Sequence, residues 1–255
     1  MQWAEAKIQI QATEGLISEA EAERLYKLTR NCGGTIVEIG SWKGKSTVCL
    51  ALGSKAGGKG KVFAIDPHQG LHDEITGLYH PENTELIFRE NIKRAGVDDI
   101  VIPLVMKSEE AAKGWTEPIS LLWIDGDHDY ENVKLDFTLW ERHLIPGGLI
   151  CFHDALYSLG HPWRPYSGIK KLVINSILKS NKFSKVQFCG SMVHATKVTE
   201  LSIKDRALKF QRLFLYHILL LVYFPLITLM VDILIRTGLF RPAKLIKDKI
   251  LALIQ

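Results

Sequence analysis

Acidic and imidazole side chains follow two apolar runs of this 255-residue chain, at the point where each run ends. Asp125 and His128 come just after ISLLWI, and Asp154 comes just after GLICF. If both runs are neighbouring parallel strands, their carboxyl ends meet at the edge where open α/β sheets bind ligands. Two carboxylates there can hold a hard divalent cation, and a nearby imidazole can remove a proton at neutral pH. We therefore expect metal-assisted proton abstraction at this edge, with His128 as the base.

A glycine turn forms a second motif with chemical meaning. In VEIGSWKGKST, Gly40 and Gly44 are separated by three residues, whereas a phosphate-binding P-loop needs four before its Gly-Lys-Ser/Thr. Glu38 precedes the turn, and Asp66 ends the apolar run KVFAI. An acid at that second strand end can accept hydrogen bonds from ribose hydroxyls. Because an acid also stands beside the turn, the motif favours a cationic nucleoside over a nucleoside triphosphate.

Alternating apolar runs and helical stretches supply the elements that position these residues. The stretch LISEAEAERLYKLTR, residues 16–30, has Ser18 and Glu21 in a capping-box arrangement, which predicts a helix. The order of the runs predicts a doubly wound, mostly parallel sheet of seven strands with an antiparallel last strand. Eight stretches are predicted as strands, one more than the seven expected in the sheet: TIVEIG, KVFAID, LIF, IVIPLV, ISLLWID, GLICFHD, SKVQFCG and SMVHATKV, the last two forming a hairpin.

These residues resemble a known family. VEIGSWKGKST, VFAIDPH and the long run from LLWID to CFHD are similar to class I S-adenosylmethionine-dependent methyltransferases, which have a Rossmann-like fold. More narrowly, they resemble the branch that includes macrocin O-methyltransferase and proteins labelled cephalosporin hydroxylase. The resemblance extends over about residues 12–195, and the long second run is its most specific part.

The resemblance implies a role for each matching residue. Glu38, Gly40 and Gly44 would contact the methionine part of the cofactor, and Asp66 would bind the ribose. Ser108, in VMKSEEAA, stands where the family contacts adenine.

It also implies a metal site beside the transferred methyl group. Asp125 would face that group and bind a Mg²⁺ or Mn²⁺ ion together with His153 and Asp154. The family places a carboxylate or amide pair where this chain has His153 and Asp154, and imidazole suits Mn, Zn or Fe better than Mg.

Charge is unevenly divided along the chain. Residues 200–255 contain nine Lys and Arg against four Asp and Glu, which leaves 23 against 24 in residues 1–199. A balanced main domain argues against nucleic acid as a partner. Four scattered cysteines without a paired spacing, and an amino terminus unlike a signal peptide, favour a cytoplasmic protein. We predict two units, a methyltransferase domain over residues 1–199 and a basic, hydrophobic helical tail over residues 200–255.

The tail contains an unusually long apolar run. From Leu213 to Val231, nineteen residues include one acidic or basic side chain, His217, and basic residues flank the run on both sides. This length and these flanks favour association with the cytoplasmic membrane face through residues 213–255. The alternative is a helical hairpin that packs against a second subunit in a homo-oligomer.

The sequence leaves three functional hypotheses open. The first is an O-methyltransferase acting on a sugar hydroxyl of a glycan or lipid-linked glycan. The second is methylation of a small phenolic or catechol-like acceptor, which the same site geometry would serve. The third is a membrane-tethered binding module without catalysis. A loop of aromatic residues in GHPWRPYSG, residues 160–168, is a candidate acceptor contact in the first two cases.

Overall fold

A computed structural model describes residues 1–58, 60–73, 78–155 and 167–218 of the chain. It has a seven-stranded sheet and a separate two-stranded hairpin. The strands are β1 (Thr35–Ile39), β2 (Val62–Ile65), β3 (Gly70–Asp73), β4 (Leu78–Pro81), β5 (Val101–Leu104), β6 (Ile119–Ile124), β7 (Leu144–Phe152), β8 (Phe183–Cys189) and β9 (Met192–Lys197). The helices are α1 (Trp3–Gln11), α2 (Glu19–Arg30), α3 (Lys45–Ala56), α4 (Glu85–Arg94), α5 (Ser108–Ala112), α6 (Tyr130–Glu141), α7 (Ser167–Leu172) and α8 (Ile203–Ile218), and a π-helical turn, Val173–Leu178, continues α7.

The large sheet has the order β5-β2-β1-β6-β7-β9-β8. Strands β5, β2, β1, β6 and β7 are parallel, whereas β9 runs antiparallel to both β7 and β8. This is the predicted Rossmann-like sheet, and the last strand of the chain is the antiparallel one, as expected. The carboxyl ends of β1, β2, β6 and β7 therefore lie side by side at one edge.

The central strands are buried because helices cover both faces of the sheet. All six residues of β6 are buried, and so are all four of β2, which fits the continuous apolar runs that parallel strands require. One core cluster packs under α1, α2 and α3, and a second packs under α6 and α7. The helix predicted over residues 16–30 begins with the expected capping box, since the Ser18 hydroxyl accepts the Glu21 amide and the Glu21 carboxylate accepts the Ser18 amide.

One local prediction differs from the structure, and one observed element was not predicted. The run LIF, predicted as a strand, lies in α4, where Phe88 packs into the core and Leu86 is exposed. Three apolar residues are too few to separate a strand from one turn of an amphipathic helix. The hairpin of β3 and β4 after β2 is an addition that the sequence analysis did not predict.

The described part of the tail is helical, as predicted. Helix α8 packs on the main domain through Leu213, and the ammonium of Lys209 donates to the carbonyl oxygens of Ile177 (2.8 Å) and Ser180 (2.5 Å). None of the helices in the described part of the chain combines the length and apolar character that crossing a bilayer requires. Most of the predicted membrane segment, from residue 219 onward, lies outside the described residues.

Candidate active site

The glycine turn and the end of β6 meet at the sheet edge. Gly40 has a φ of +83°, and its amide donates to the carbonyl of Ile65 (2.9 Å). A Cβ on Gly40 would overlap the backbone carbonyl of Asp125, so a side chain is excluded there by two independent causes. Gly44, with a φ of +88°, is the N-cap of α3, and a Cβ there would lie 3.0 Å from the Phe88 ring. The predicted cofactor loop and the predicted catalytic acid are therefore in direct backbone contact.

Glu38 is a fully buried acid in β1, beneath the glycine turn. One carboxylate oxygen accepts a short hydrogen bond from Thr47, whereas the other has no hydrogen-bond partner among the described residues. Burial raises the pKa of Glu38 to about 8, the nearby Asp125 and Asp66 add to this rise, and hydrogen bonds from Ser46 and Thr47 oppose it. An uncompensated buried oxygen fits a site that receives a cationic or hydrogen-bond-donating ligand.

Asp66 follows β2 and fixes the shape of the glycine turn. Its Oδ2 accepts the amides of Ser41 (2.9 Å) and Trp42 (2.8 Å), and its Oδ1 accepts the amide of His68 (2.7 Å). The carboxylate therefore fixes the backbone after β1, at Ser41 and Trp42, and the backbone after β2, at His68. The structure does not test its predicted bond to ribose, which stays a prediction. His68 is buried, and its Nδ1 is 2.8 Å from the Thr84 hydroxyl, an arrangement typical of a structural histidine.

Asp125, His128 and Asp154 form a cluster with the spacing of a metal site. One ligand atom from each residue can be chosen such that all three lie within 4.8 Å of one another. His128 Nε2 is 3.9 Å from Asp125 Oδ1 and 3.9 Å from Asp154 Oδ2. Two carboxylates and one imidazole suit Mn²⁺, Fe²⁺ or Zn²⁺ at least as well as Mg²⁺. All three side chains are partly exposed, so a ligand can reach them.

His153 lies beside this cluster, and its predicted role as a metal ligand stays a prediction. Its Nδ1 is 3.2 Å from Asp125 Oδ1, a hydrogen-bonding distance, and it is not a member of the three-residue cluster. Its Nε2 faces the buried carboxylate of Glu21 at 3.8 Å. Burial lowers the pKa of His153, but Asp125, Glu21 and Asp154 together raise that pKa well above its ordinary value.

Asp125 stays ionised because of these two histidines. Burial raises its pKa, but the charge of His153 and the hydrogen bonds from His128 and His153 hold the pKa below its usual range. The backbone amide of Asp125 also donates to the carbonyl of Ile39 (2.8 Å), which fixes the acid to β1.

Ser108 begins α5, and its hydroxyl makes a short hydrogen bond to the buried carboxylate of Asp136 in α6. Burial raises the pKa of Asp136 to about 6, and the Ser108 bond opposes this rise. This contact joins α5 to α6 through the buried Asp136. Whether Ser108 also contacts adenine stays a prediction. The aromatic loop predicted to contact the acceptor lies largely outside the described residues, because residues 156–166 are not among them.

Two residues that contact this edge from behind, Glu21 and Ser191, were not predicted as part of the site. Glu21 was recognised only as part of a helix cap, yet its carboxylate also faces His153 and accepts the amide of Ser191 (2.7 Å). Ser191 lies in the turn between β8 and β9. The one local signal was the placement of an acid on the predicted buried face of α2, where an acid needs a partner.

Sequence comparison finds a matching family model and similar proteins. Residues 37–155 match a family model described as a methyltransferase domain. Protein y4gI of Sinorhizobium fredii, described as uncharacterised, is 30% identical over 121 residues, which cover 47% of this chain and 13% of that protein. Protein R132 of Acanthamoeba polyphaga mimivirus, also described as uncharacterised, is 28% identical over 158 residues, which cover 60% of this chain and 65% of that protein. The chain therefore spans less than two thirds of either relative.

Solved structures share the fold. The O-methyltransferase from Bacillus cereus in complex with SAH has a TM-score of 0.54 and 19% identity, over 77% of this chain and 92% of that one. The O-methyltransferase TomG from Streptomyces achromogenes, in complex with SAM, has a TM-score of 0.52 and 16% identity, over 76% of this chain and 88% of that one.

The family match and the shared fold confirm the predicted resemblance, while the narrower macrocin-like branch stays a prediction. Residues 37–155 match a methyltransferase-domain model, and the chain shares its fold with the solved O-methyltransferase structures.

Proposed function

We propose that this protein is an S-adenosylmethionine-dependent O-methyltransferase assisted by a divalent cation. The observation that carries the proposal is the backbone contact between Gly40 and Asp125. It joins the cofactor loop to the acidic edge, by which we mean Asp125, His128 and Asp154 after β6 and β7. A cofactor seated on the glycine turn would therefore end beside Asp125. S-adenosylmethionine supplies a sulfonium methyl group, and its cationic part would lower the raised pKa of Glu38 and so favour the carboxylate form of this acid beneath the turn.

Three residues at the edge would act on the acceptor. Asp125 and Asp154, on two neighbouring strand ends, would hold a Mn²⁺ or Mg²⁺ ion, which would lower the pKa of a hydroxyl bound to it and orient that oxygen toward the cofactor. His128, whose Nε2 is 3.9 Å from an oxygen of each carboxylate, would accept the proton that the hydroxyl loses as its oxygen takes the methyl group and S-adenosylhomocysteine leaves.

The acceptor we propose is a sugar hydroxyl in a glycan or lipid-linked glycan. Support comes from the sequence resemblance and from the tail, since a membrane-associated enzyme is suited to an acceptor that is itself in the membrane. A small phenolic or catechol-like acceptor is the second candidate, because a cation held by the same cluster would bind a catechol oxygen equally well.

Helix α8 carries an apolar stripe that supports membrane association. Its members are Ile203, Ala207, Phe210 and Phe214. All four are exposed and share one helix face, and the two phenylalanine rings stack at 6.4 Å. The exposed side chains of Lys204 and Arg206 flank this stripe, and the apolar run 213–231 continues from it. Apolar and basic groups together are typical of helices that lie on anionic lipid.

Calorimetry with S-adenosylhomocysteine tests the cofactor assignment. The full chain should bind it, and Asp66→Asn should weaken binding because the glycine turn loses its organising carboxylate. No heat with the intact protein would favour the non-catalytic binding module instead.

The acceptor can be sought by mass spectrometry of glycans and lipids from cells with and without the protein. The expected result is a species that is heavier by one methylene when the protein is present, and that disappears with Asp125→Asn. A methylated phenolic metabolite in its place would support the second candidate.

The membrane proposal is tested by sedimentation with vesicles of phosphatidylglycerol or of phosphatidylcholine. We expect binding to the anionic vesicles, weakened by Phe210→Ser with Phe214→Ser. Equal recovery in the supernatant for both vesicles, together with a concentration-dependent dimer, would favour the subunit-packing alternative.

A further inference from the structure

The carboxylate of Glu21 is buried directly behind the acidic edge. Glu21 is 4% exposed, although it belongs to a residue type that is almost never buried unless it is paired. Its Oε2 accepts the amide (2.8 Å) and the hydroxyl (2.7 Å) of Ser18. Its Oε1 accepts the amide (2.7 Å) and the hydroxyl (2.8 Å) of Ser191. Four donors therefore fix this carboxylate in one position.

The imidazole of His153 links Glu21 to Asp125. Its Nε2 lies 3.8 Å from Glu21 Oε2, and its Nδ1 lies 3.2 Å from Asp125 Oδ1. The ring is itself 4% exposed and packs against the indole of Trp123, with ring centroids 5.7 Å apart. A ring held between two carboxylates and an aromatic wall has little freedom to rotate. It therefore fixes the Asp125 oxygen that it contacts.

A second connection runs from Glu21 to Asp154. The carbonyl of Ser191, whose amide and hydroxyl bind Glu21, accepts the amide of Ala155 (3.0 Å), the residue directly after Asp154. The neighbouring Gly190 has a φ of +60°, and a Cβ there would lie 2.6 Å from Glu21 Oε1. The turn between β8 and β9 is thus shaped around the Glu21 carboxylate.

We infer that Glu21 is a positioning residue for the candidate metal site, acting through His153 on Asp125 and through Ser191 on Asp154. This inference rests on the proposed function of the same edge. Glu21 is not one of the three clustered residues that would hold the cation. Groups that orient metal ligands in this way typically change metal affinity or activity by about 10–100-fold when they are mutated.

The test compares three forms of the full chain by calorimetry with Mn²⁺ and, separately, with S-adenosylhomocysteine. Glu21→Gln keeps the shape of the side chain and removes its charge. Arg24→Ala is the matched control, because it removes a bond from the same helix to Gln187 (2.8 Å) without contacting Glu21. We expect Glu21→Gln to weaken Mn²⁺ binding by about 10–100-fold and to leave S-adenosylhomocysteine binding unchanged. Arg24→Ala should leave both affinities unchanged.

A readout that needs no metal accompanies the calorimetry. The ring nitrogen signals of His153, assigned by their loss in His153→Gln, report the hydrogen bond of Nδ1 to Asp125 and the charge of Glu21 that Nε2 faces. They should shift in Glu21→Gln and stay in place in Arg24→Ala. If Glu21→Gln does not fold, Ser191→Ala replaces it, since this variant removes one hydroxyl donor from the same carboxylate.

The outcomes distinguish a failure of the metal-assisted function from a failure of the positioning role of Glu21. If the wild-type chain binds no Mn²⁺, the metal-assisted function fails, and the His153 signals then decide whether Glu21 positions the ring. Unchanged His153 signals and unchanged Mn²⁺ affinity in Glu21→Gln would overturn the positioning role while leaving the proposed function intact.

Discussion

Glu38→Gln should change how the stability of the protein depends on pH. Burial raises the pKa of this carboxyl from 4.5 to about 8, so the folded chain holds a proton there that the unfolded chain has released. The stability due to this group is fully present below pH 4.5 and is lost as the pH rises toward 8. Each pH unit within this window costs about 1.4 kcal/mol, so wild-type stability should fall by about 3 kcal/mol between pH 5.5 and 7.5 from this group alone.

Glutamine cannot titrate, so the variant should lack this part of the pH dependence. The assay is urea unfolding of both proteins without cofactor at pH 5.5 and 7.5, followed by circular dichroism. The free energy of unfolding of Glu38→Gln relative to wild type should rise by about 3 kcal/mol between the two pH values. Glu90→Gln, on the exposed side of α4, controls for the loss of a carboxylate. If the difference between wild type and Glu38→Gln were the same at both pH values, the buried, protonated state of Glu38 would be refuted.

Two further predictions concern the glycine turn and the α5–α6 contact. Gly40→Ala should destabilise the fold by about 1–3 kcal/mol more than Gly147→Ala, because both glycines have a φ of +83° but only a Cβ at Gly40 meets backbone; equal urea midpoints would contradict this. Ser108→Ala should raise the pKa of Asp136 above its present value of about 6, since it removes a hydrogen bond that favours the charged form. Carbon NMR of the Asp136 carboxyl measures this pKa, and an unchanged titration would show that the bond has no influence.

The sheet and the residues of the acidic edge were predictable from sequence because each apolar run and the polar residues after it are adjacent in the chain. The apolar runs of β1, β2, β6 and β7 each end in the residues that carry the chemistry, and parallel strands bring such ends together. The cap at Ser18 was predictable for the same reason, since its partner Glu21 is three residues away.

The contacts that could not be predicted from the sequence join segments that are distant in the chain. Glu21 and Ser191 are 170 residues apart in the chain and meet only because α2 packs beside the turn between β8 and β9. The orientation of His153 depends on the same packing, because its Nε2 faces Glu21 while its Nδ1 faces Asp125. The hairpin of β3 and β4 was missed because residues 70–81 lack the alternation of apolar and polar residues that indicates paired strands.

The contacts of Glu21 with His153 and Ser191 have a practical consequence for the expression of residues 37–155 alone. The family match begins at residue 37 and ends at residue 155, so a fragment cut at those borders would retain Asp125, His128 and Asp154. It would lose helix α2 with Glu21 and the final hairpin with Ser191, which both contact His153 or its neighbourhood from behind. If Glu21 positions the site as inferred, such a fragment would keep every residue of the recognisable motif and still misplace its carboxylates.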